Sequence, residues 1–552
     1  MENHGKVFFG MLKVAVLSLF FICFVCGKDI CVDPCGGTNS QECGSLENCC
    51  WTIALGIANA GAGDVITLYP GEYSSNPGTY GLTITTENIT ITSRSDENVI
   101  IDLTSAPVTG GVISSTGNFM YIQASGFTMQ NVTITGKVPP LTDFLISVNA
   151  DEASFYNCFF IDMVYDQPAF GVYEFMGNSC VLSDCVFRNI TAISSANSQG
   201  LCVVYHKVVD IIGCRFESIS ILTNPVYGQR HYGVVITASE EASGGYISGC
   251  SFLNNTFTGG TGGGHNCVSG VAIYATSVVI EDSVFIDNYV VMCNDPDGSI
   301  SNIITAKSQA NITNSFFSNV DVQFYWHFAL EDAAVFTSCT FEGFSNQLET
   351  FMRTVNIIDV RFVSCRFDNW EVLNTNCFLP STPNMNIYYH FFECVFEDFT
   401  IGDTNSLLCP GFSGDFINCA WNNITQLNGD MLTVVNTNNL IQNCTWQSIV
   451  SEGSIISFQY VSSFESEILP DNTFRNNNAS AMVTLQYYTN EDINTKAMCA
   501  CSFYNSSDTH PCIPNIDNLE LTNNVASTPG LVTVNEGIFM FRNSSFRENA
   551  SP

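Results

Sequence analysis

The sequence predicts an all-β chain wound as a single parallel β-helix solenoid, and three observations predict it. The first is a phrase, Cys-x-Phe or a near variant, that returns about every 24–36 residues, the period of a stacked-coil repeat. It reads Cys158-Phe160, Cys185-Phe187, Cys214-Phe216, Cys250-Phe252, Ser283-Phe285 and Ser315-Phe317, then Cys339-Phe341, Cys365-Phe367, Cys394-Phe396, Cys419-Trp421 and Cys444-Trp446. Looser copies stand at Thr473-Phe474, Cys501-Phe503 and Ser545-Phe546. The second observation is spacing. Cysteine and aromatic lie two residues apart and point to one side of a strand, while the residue between them is often polar, as with Arg215, Ser251, Thr340 and Arg366. The third is the polar turn after many aromatics: Leu253-Asn254-Asn255, Ile286-Asp287-Asn288, Arg475-Asn476-Asn477, Arg547-Glu548-Asn549. Asparagine tolerates left-handed backbone and suits such turns. Stacked at about 4.8 Å per coil, the phrases form a Phe ladder beside a Cys ladder in the core.

Taken from the start, residues 1–27 read as a signal peptide. Lys6 and Lys13 precede an apolar core from Val14 to Val25, and small residues close it at Gly27. Residues 28–50 form a Cys-rich segment. From 51 to 552 the repeat runs without a linker, so one elongated domain is expected. The last residues fall inside a coil phrase, which reads as a truncated or uncapped C-terminus. After the leader, no stretch approaches the roughly 20 apolar residues of a membrane-spanning helix.

At the head of the repeat, an amphipathic stretch from Thr52 to Ala60 predicts a short capping helix over the open end of the core. It leads into Gly63-Asp64-Val65-Ile66-Thr67-Leu68-Tyr69-Pro70-Gly71-Glu72-Tyr73, then Asn88-Ile89-Thr90-Ile91-Thr92-Ser93 and Val99-Ile100-Ile101-Asp102. This succession resembles the N-terminal cap and first coil of the pectin-lyase-like right-handed parallel β-helix superfamily. The resemblance is carried by 48–135 and continues as a repeat to 549. The Phe-x-x-Asn endings (Phe252 to Asn255, Phe285 to Asn288, Phe474 to Asn477, Phe546 to Asn549) also resemble those of polymorphic outer-membrane adhesins.

The resemblance implies specific catalytic sets, and the chain departs from each. Polygalacturonase-like members use a paired Asp-Asp, an Arg-x-Lys and a Gly-His-Gly. The first two are missing, and His265 is followed by Asn266. Pectate-lyase-like members need an Arg base beside calcium-holding Asp clusters, whereas Arg188, Arg215, Arg366, Arg475 and Arg547 decorate the repeat phrase one per coil. The pectin-methylesterase-like phrase is absent. Carboxylate pairs that neighbouring coils could still bring together are Glu240-Glu241, Glu281-Asp282 and Glu331-Asp332.

The formal charge is −35 with only 12% charged residues. Such a chain repels nucleic acid, anionic membrane and, unless cations bridge, polyuronates. Of 25 cysteines, Cys31, Cys35, Cys43, Cys49 and Cys50 crowd ahead of the first coil and are disulfide candidates. The ladder cysteines are expected as free buried thiols. Local pairs among Cys499, Cys501 and Cys512, or Cys267 with Cys293, stay open.

Sequons at Asn88, Asn131, Asn189, Asn254, Asn311, Asn423, Asn443, Asn478, Asn505, Asn543 and Asn549 are candidate glycosylation sites. No cofactor is expected other than calcium, for which Asp295 and Asp297 are the candidate ligands, although a plain β-turn accounts for them too. Residues 322–330 alternate so that Tyr325 and His327 share a face, a candidate stacking platform for sugar rings. Other strands pair an aromatic with histidine, among them Tyr389-His390. The expected function is a secreted or cell-surface repeat protein with a recognition, adhesion or structural role, binding an extracellular glycan or protein without catalysis. The alternative is a divergent polysaccharide lyase or glycoside hydrolase.

Overall fold

In the computed structural model, the residues described are 27–74, 78, 80–94, 99–105, 118–138, 144–166, 172–194, 201–204, 208–223, 235–238, 245–258, 272–291, 301–306, 308–318, 326–330, 332–346, 351–354, 359–372, 388–402, 413–435, 440–459, 471–486, 515–517, 519–526, 532–535, 540–542 and 544–550. They form a right-handed parallel β-helix. One coil shows the grammar. The short strand Ile146–Val148 lies in one sheet, Ala153–Tyr156 in a second and Phe159–Asp166 in a third. The chain then returns to pair Tyr173–Phe175 with Ile146–Val148, in parallel. We call the sheet containing Ala153–Tyr156 the first sheet, that containing Ile146–Val148 the second, and that containing Phe159–Asp166 the third. The first has 15 strands and the second 10 among the described residues.

The coils stay in register because each sheet buries one face. A column of apolar residues runs inside the first sheet from Ile30 through Ile66 and Ile91 to Phe391, Phe416 and Ile441. A one-residue slip would turn that column into solvent. The predicted aromatic ladder stands inside the third sheet. Phe252 and Phe285 stack with centroids 4.6 Å apart, and Trp421 and Trp446 at 5.0 Å, so ring spacing follows coil rise. The rung after Phe474 is Leu521. The expected copy at Phe503 is therefore not that rung, and it lies outside the described residues.

Beside the aromatics runs the cysteine ladder, buried and unbonded from Cys158 to Cys444. Each thiol reaches the carbonyl two residues earlier, as Cys394 does to Phe392 (3.4 Å), and most also reach one on the preceding coil, as Cys394 does to Phe362 (3.4 Å). Ser283 and Ser315 hold the same rung and make the same backward bond, to Glu281 O (2.8 Å) and Thr313 O (2.9 Å). The ladder selects a small side chain that can donate, which explains why serine replaces cysteine there.

Two left-handed residues turn each coil. The corner between first and third sheets is held by Asn157, Asp184, Gly213, Asp282, Asn314, Asn418 and Asn443, among others, and a bend within the third sheet by Asp162, Asn189, Asn254, Asn423 and Asn476, all at positive φ. Asparagine and aspartate are favoured because they tolerate this region. The residue after the bend faces inward. Asn255, Asn288 and Asn477, read from sequence as parts of polar turns, are buried instead, and so is Asn524. Asn477 shows why this is tolerable: its Nδ2 donates to Trp446 O and its Oδ1 accepts from Ile449 N, both at 2.9 Å. Neighbouring coils thus satisfy both ends of the buried amide.

The N-terminal end is closed as expected, and more tightly. The helix Ile53–Asn59 is capped by Thr52, whose hydroxyl accepts from Leu55 N. Gly56 lets the helix sit flush: a Cβ there would meet Val32 at 2.8 Å and Ile66 at 3.2 Å. The Cys-rich segment is no separate appendage. Its strand Asp29–Val32 pairs with Val65–Leu68 and begins the first sheet. Disulfides Cys31–Cys49 and Cys43–Cys50 fasten it, while Cys35 is exposed and unbonded. The expectation that Cys35 joins the knot is therefore corrected: four of the five cysteines pair with one another. No helix among the described residues is long and apolar enough to cross a membrane.

Candidate functional site

Three successive rungs of the first sheet build the most differentiated outer surface: Asp359–Val363, Tyr388–Phe392 and Ser413–Ile417. Strand alternation sends Val360, Phe362, Tyr389, Phe391 and Phe416 into the core, where they are buried. Asp359, Arg361, Tyr388, His390, Phe392, Asp415 and Ile417 then face outward. Register places Arg361, His390 and Asp415 in one row, with Val363, Phe392 and Ile417 in the next.

His390 is the centre of this surface. Its Nδ1 lies 2.9 Å from Asp415 Oδ2. A carboxylate only accepts, so the imidazole carries the proton on that nitrogen. Asp415 is steadied by Leu440 N, which donates to Oδ1 at 3.1 Å. On the other side, His390 Nε2 faces Asp359 Oδ1 at 3.7 Å. That oxygen is buried and has no hydrogen-bond partner among the described residues. Asp359 Oδ2 is held by Arg361, whose Nε donates at 2.8 Å. The rings of His390 and Phe392 lie nearly parallel, 6.0 Å apart. Tyr388, His390 and Phe392 thus make a strip of three half-buried rings, spaced by the two-residue strand repeat of about 6.6 Å.

The electrostatics bear on chemistry. The carboxylate hydrogen bond and charge of Asp359 push the Arg361 guanidinium above its ordinary range, and Asp368 and Glu397 do the same for Arg366. These ion pairs favour the cationic form of both arginines, which works against a role in proton abstraction. The remaining arginine ion pairs, Arg215 with Glu217 (2.9 Å) and Arg475 with Glu520 (3.4 Å), decorate separate coils, as expected. Asp359 and Asp415 stand on opposite sides of His390, where an inverting glycosidase would keep a water and the scissile bond between two carboxylates. The imidazole fills the space that a water and a scissile bond would need.

The candidates read from sequence are placed as follows. Glu281 accepts from Tyr246 OH at 2.7 Å, and Asp282 turns a corner. Asp332 caps Ala333 N. None joins a second carboxylate pair, and Glu240, Glu241 and Glu331 lie outside the described residues. So do Asp295, Asp297, Tyr325, Asn505 and Asn543, the cysteines at 267, 293, 499, 501 and 512, and all of the leader before Gly27. For His327 only the backbone is described. Among the described residues no group of three His, Cys, Asp or Glu is placed to hold a metal. The residues that sequence reading missed are Asp359 and Asp415. They stand one coil either side of His390, and only the register brings them together.

No family model matches the chain, and no curated protein matches it. Among solved structures, a pectate lyase, Pel9A, is similar at a TM-score of 0.33 and 11% identity, covering 68% of this chain and 78% of its own. A pectin methylesterase from carrot gives 0.30 and 14%, covering 51% and 82%. A rhamnogalacturonan lyase gives 0.27 and 13%, covering 59% and 76%. At these scores none lends a residue role to this chain. Its own coil grammar makes it a right-handed parallel β-helix.

Proposed function

We propose that this chain is an extracellular recognition protein that binds a glycan across the outer face of the first sheet at His390 and does not turn it over. The observation that carries the reading is the strip of Tyr388, His390 and Phe392, flanked by the partly exposed carboxylates of Asp359 and Asp415. Flat rings beside fixed acceptors are what a pyranose needs, with its apolar face on the rings and its hydroxyls on the carboxylates. Two disulfides favour an oxidising compartment, and the leader-like start supports export. Catalysis is disfavoured by the imidazole lying between the carboxylates and by ion pairs that favour the arginine cations.

The test is a glycan array with the full chain, with and without calcium, and with product analysis on each hit. Binding without new reducing or unsaturated ends is expected. Phe392→Ala should weaken it about 5- to 150-fold, if the ring contributes the roughly 1–3 kcal/mol that an aromatic side chain contributes by stacking on a nucleobase. Calcium dependence would bring Asp295 and Asp297 into the account. Released product would favour the lyase or hydrolase reading. A protein partner captured by the same face, with no glycan bound, would overturn the ligand class.

A further inference from the structure

The sequons fall where the coil needs asparagine. Asn131 and Asn443 occupy the left-handed corner, Asn189, Asn254 and Asn423 the left-handed bend, and Asn88 a left-handed turn before the first sheet. At each, the next residue points inward and the following threonine either opens a strand, as in Asn443-Cys444-Thr445, or continues one past the bend, as in Asn423-Ile424-Thr425. The Asn-x-Thr pattern is therefore a product of coil geometry, and its presence does not by itself mark a glycan. What separates one sequon from another is the amide nitrogen, the atom a glycan would occupy.

Four amides are already engaged across coils. Asn189 Nδ2 donates to Asp162 Oδ1 (2.9 Å) and Asn443 Nδ2 to Asn418 Oδ1 (2.9 Å); Asn423 Nδ2 donates to Asp398 Oδ1. Asn549 Nδ2 donates to Leu521 O (2.9 Å) as the last step of the inward asparagine ladder. One of the two N–H groups of each amide is spent on that bond, so a sugar on the other has to fit beside the neighbouring coil. Asn131 and Asn311 are half-buried, their oxygens accepting from Asn157 and Gln309.

Three others are exposed, with no amide hydrogen bond among the described residues: Asn88, Asn254 and Asn478. At Asn88 the side-chain oxygen lies against Gly126, where an added Cβ would meet it at 2.1 Å, so the nitrogen is the end turned away from that coil. Asn478 has a second reason to be covered. It sits in register between Val450 and Val525, which are 48% and 46% exposed on the coils either side. A glycan there would shield apolar surface that the sheet leaves in water.

We infer that the folded chain carries N-linked glycan at Asn88, Asn254 and Asn478, and that Asn189, Asn423, Asn443 and Asn549 are kept free by their cross-coil hydrogen bonds. This rests on the extracellular reading, and the experiment separates the two. The full chain is expressed in a secretory eukaryotic host, once with its own leader and once behind a foreign one. The secreted, folded protein is treated with an amidase that converts glycosylated asparagine to aspartate in heavy-oxygen water, and occupancy is mapped by mass spectrometry. Label at Asn88, Asn254 and Asn478, with at least 10-fold lower occupancy at the four engaged positions, is expected. High occupancy at Asn423, Asn443 or Asn549, or none at the three exposed positions, overturns the assignment. Export that fails only with the native leader overturns the extracellular reading and leaves the site pattern to be read from the other arm.

Discussion

At the residue scale, the chain places side chains of one kind in two opposite roles. Asn476 and Asn477 are neighbours, yet the first turns the backbone at a φ of 55° and is exposed, while the second is 1% exposed and bridges two coils. Asn477→Ala leaves Trp446 O and Ile449 N buried without partners, which should cost about 2–4 kcal/mol. Asn476→Ala forces alanine into left-handed backbone and should cost about 1–2 kcal/mol. Urea midpoints of the two variants check this, and equal losses would contradict the ladder. The cysteines make a second case. Burial pushes the Cys158, Cys180 and Cys202 thiols well above their ordinary range, and the whole ladder is shielded. An alkylating reagent on the native protein should label Cys35 and leave the ladder thiols Cys158, Cys185, Cys214, Cys250, Cys339, Cys365, Cys394, Cys419 and Cys444 untouched until denaturant is added, as read by peptide mapping. The inward Cys and Phe were legible because they repeat at fixed offset. The inward Asn was not: polarity alone argues for a turn, and only a stacked neighbour makes a buried amide affordable.

At the element scale, the short helix and the segment before it close one end of the solenoid, and two tyrosines buried in the coil they cover set a pH dependence. Tyr80 OH lies 2.7 Å from both Ser74 O and Asp102 O, which share its one proton, and Tyr73 OH lies 2.9 Å from Tyr69 O and 3.1 Å from Val32 O. Burial, then the nearby Asp102 and Glu72, push the Tyr80 phenol from 10.0 up to about 12. The unfolded phenol ionises first, so stability present below pH 10 is lost as pH rises towards about 12. Burial and Asp33 move Tyr73 in the same direction. The melting midpoint should fall over that window, and Tyr80→Phe should be less stable at neutral pH but lose less across it. An unchanged slope in the variant would remove Tyr80 from the account. This helix was legible from Thr52 to Ala60, because a cap residue and an apolar stripe are local signals. The strand Asp29–Val32 was not, since a cysteine cluster reads as a knot until its partner Val65–Leu68 is known.

At the scale of the whole molecule, legibility follows periodicity. Anything that recurs each coil could be read; anything assembled once could not. The His390 surface needs Asp359, His390 and Asp415 on three consecutive rungs, and coil lengths vary too much for sequence spacing to place them together. The same one-dimensional build governs electrostatics. The chain holds 52 acidic and 17 basic side chains, so even if every Lys and Arg found a partner, most carboxylates would face one another along the solenoid. Cross-coil pairs such as Arg366 with Glu397 (2.6 Å) are attractive, but they are half-exposed and each contributes roughly 0–1 kcal/mol. Repulsion summed over the excess acids acts at distances that about 0.15 M salt screens to near 8 Å. Screening therefore relieves more repulsion than it removes attraction. The thermal midpoint should rise as sodium chloride is raised from about 0.01 M to about 0.3 M, a range that changes the Debye length severalfold without strong effects on hydrophobic burial. A falling midpoint would mean that the few ion pairs, and not the surplus carboxylates, dominate the field of the folded coil.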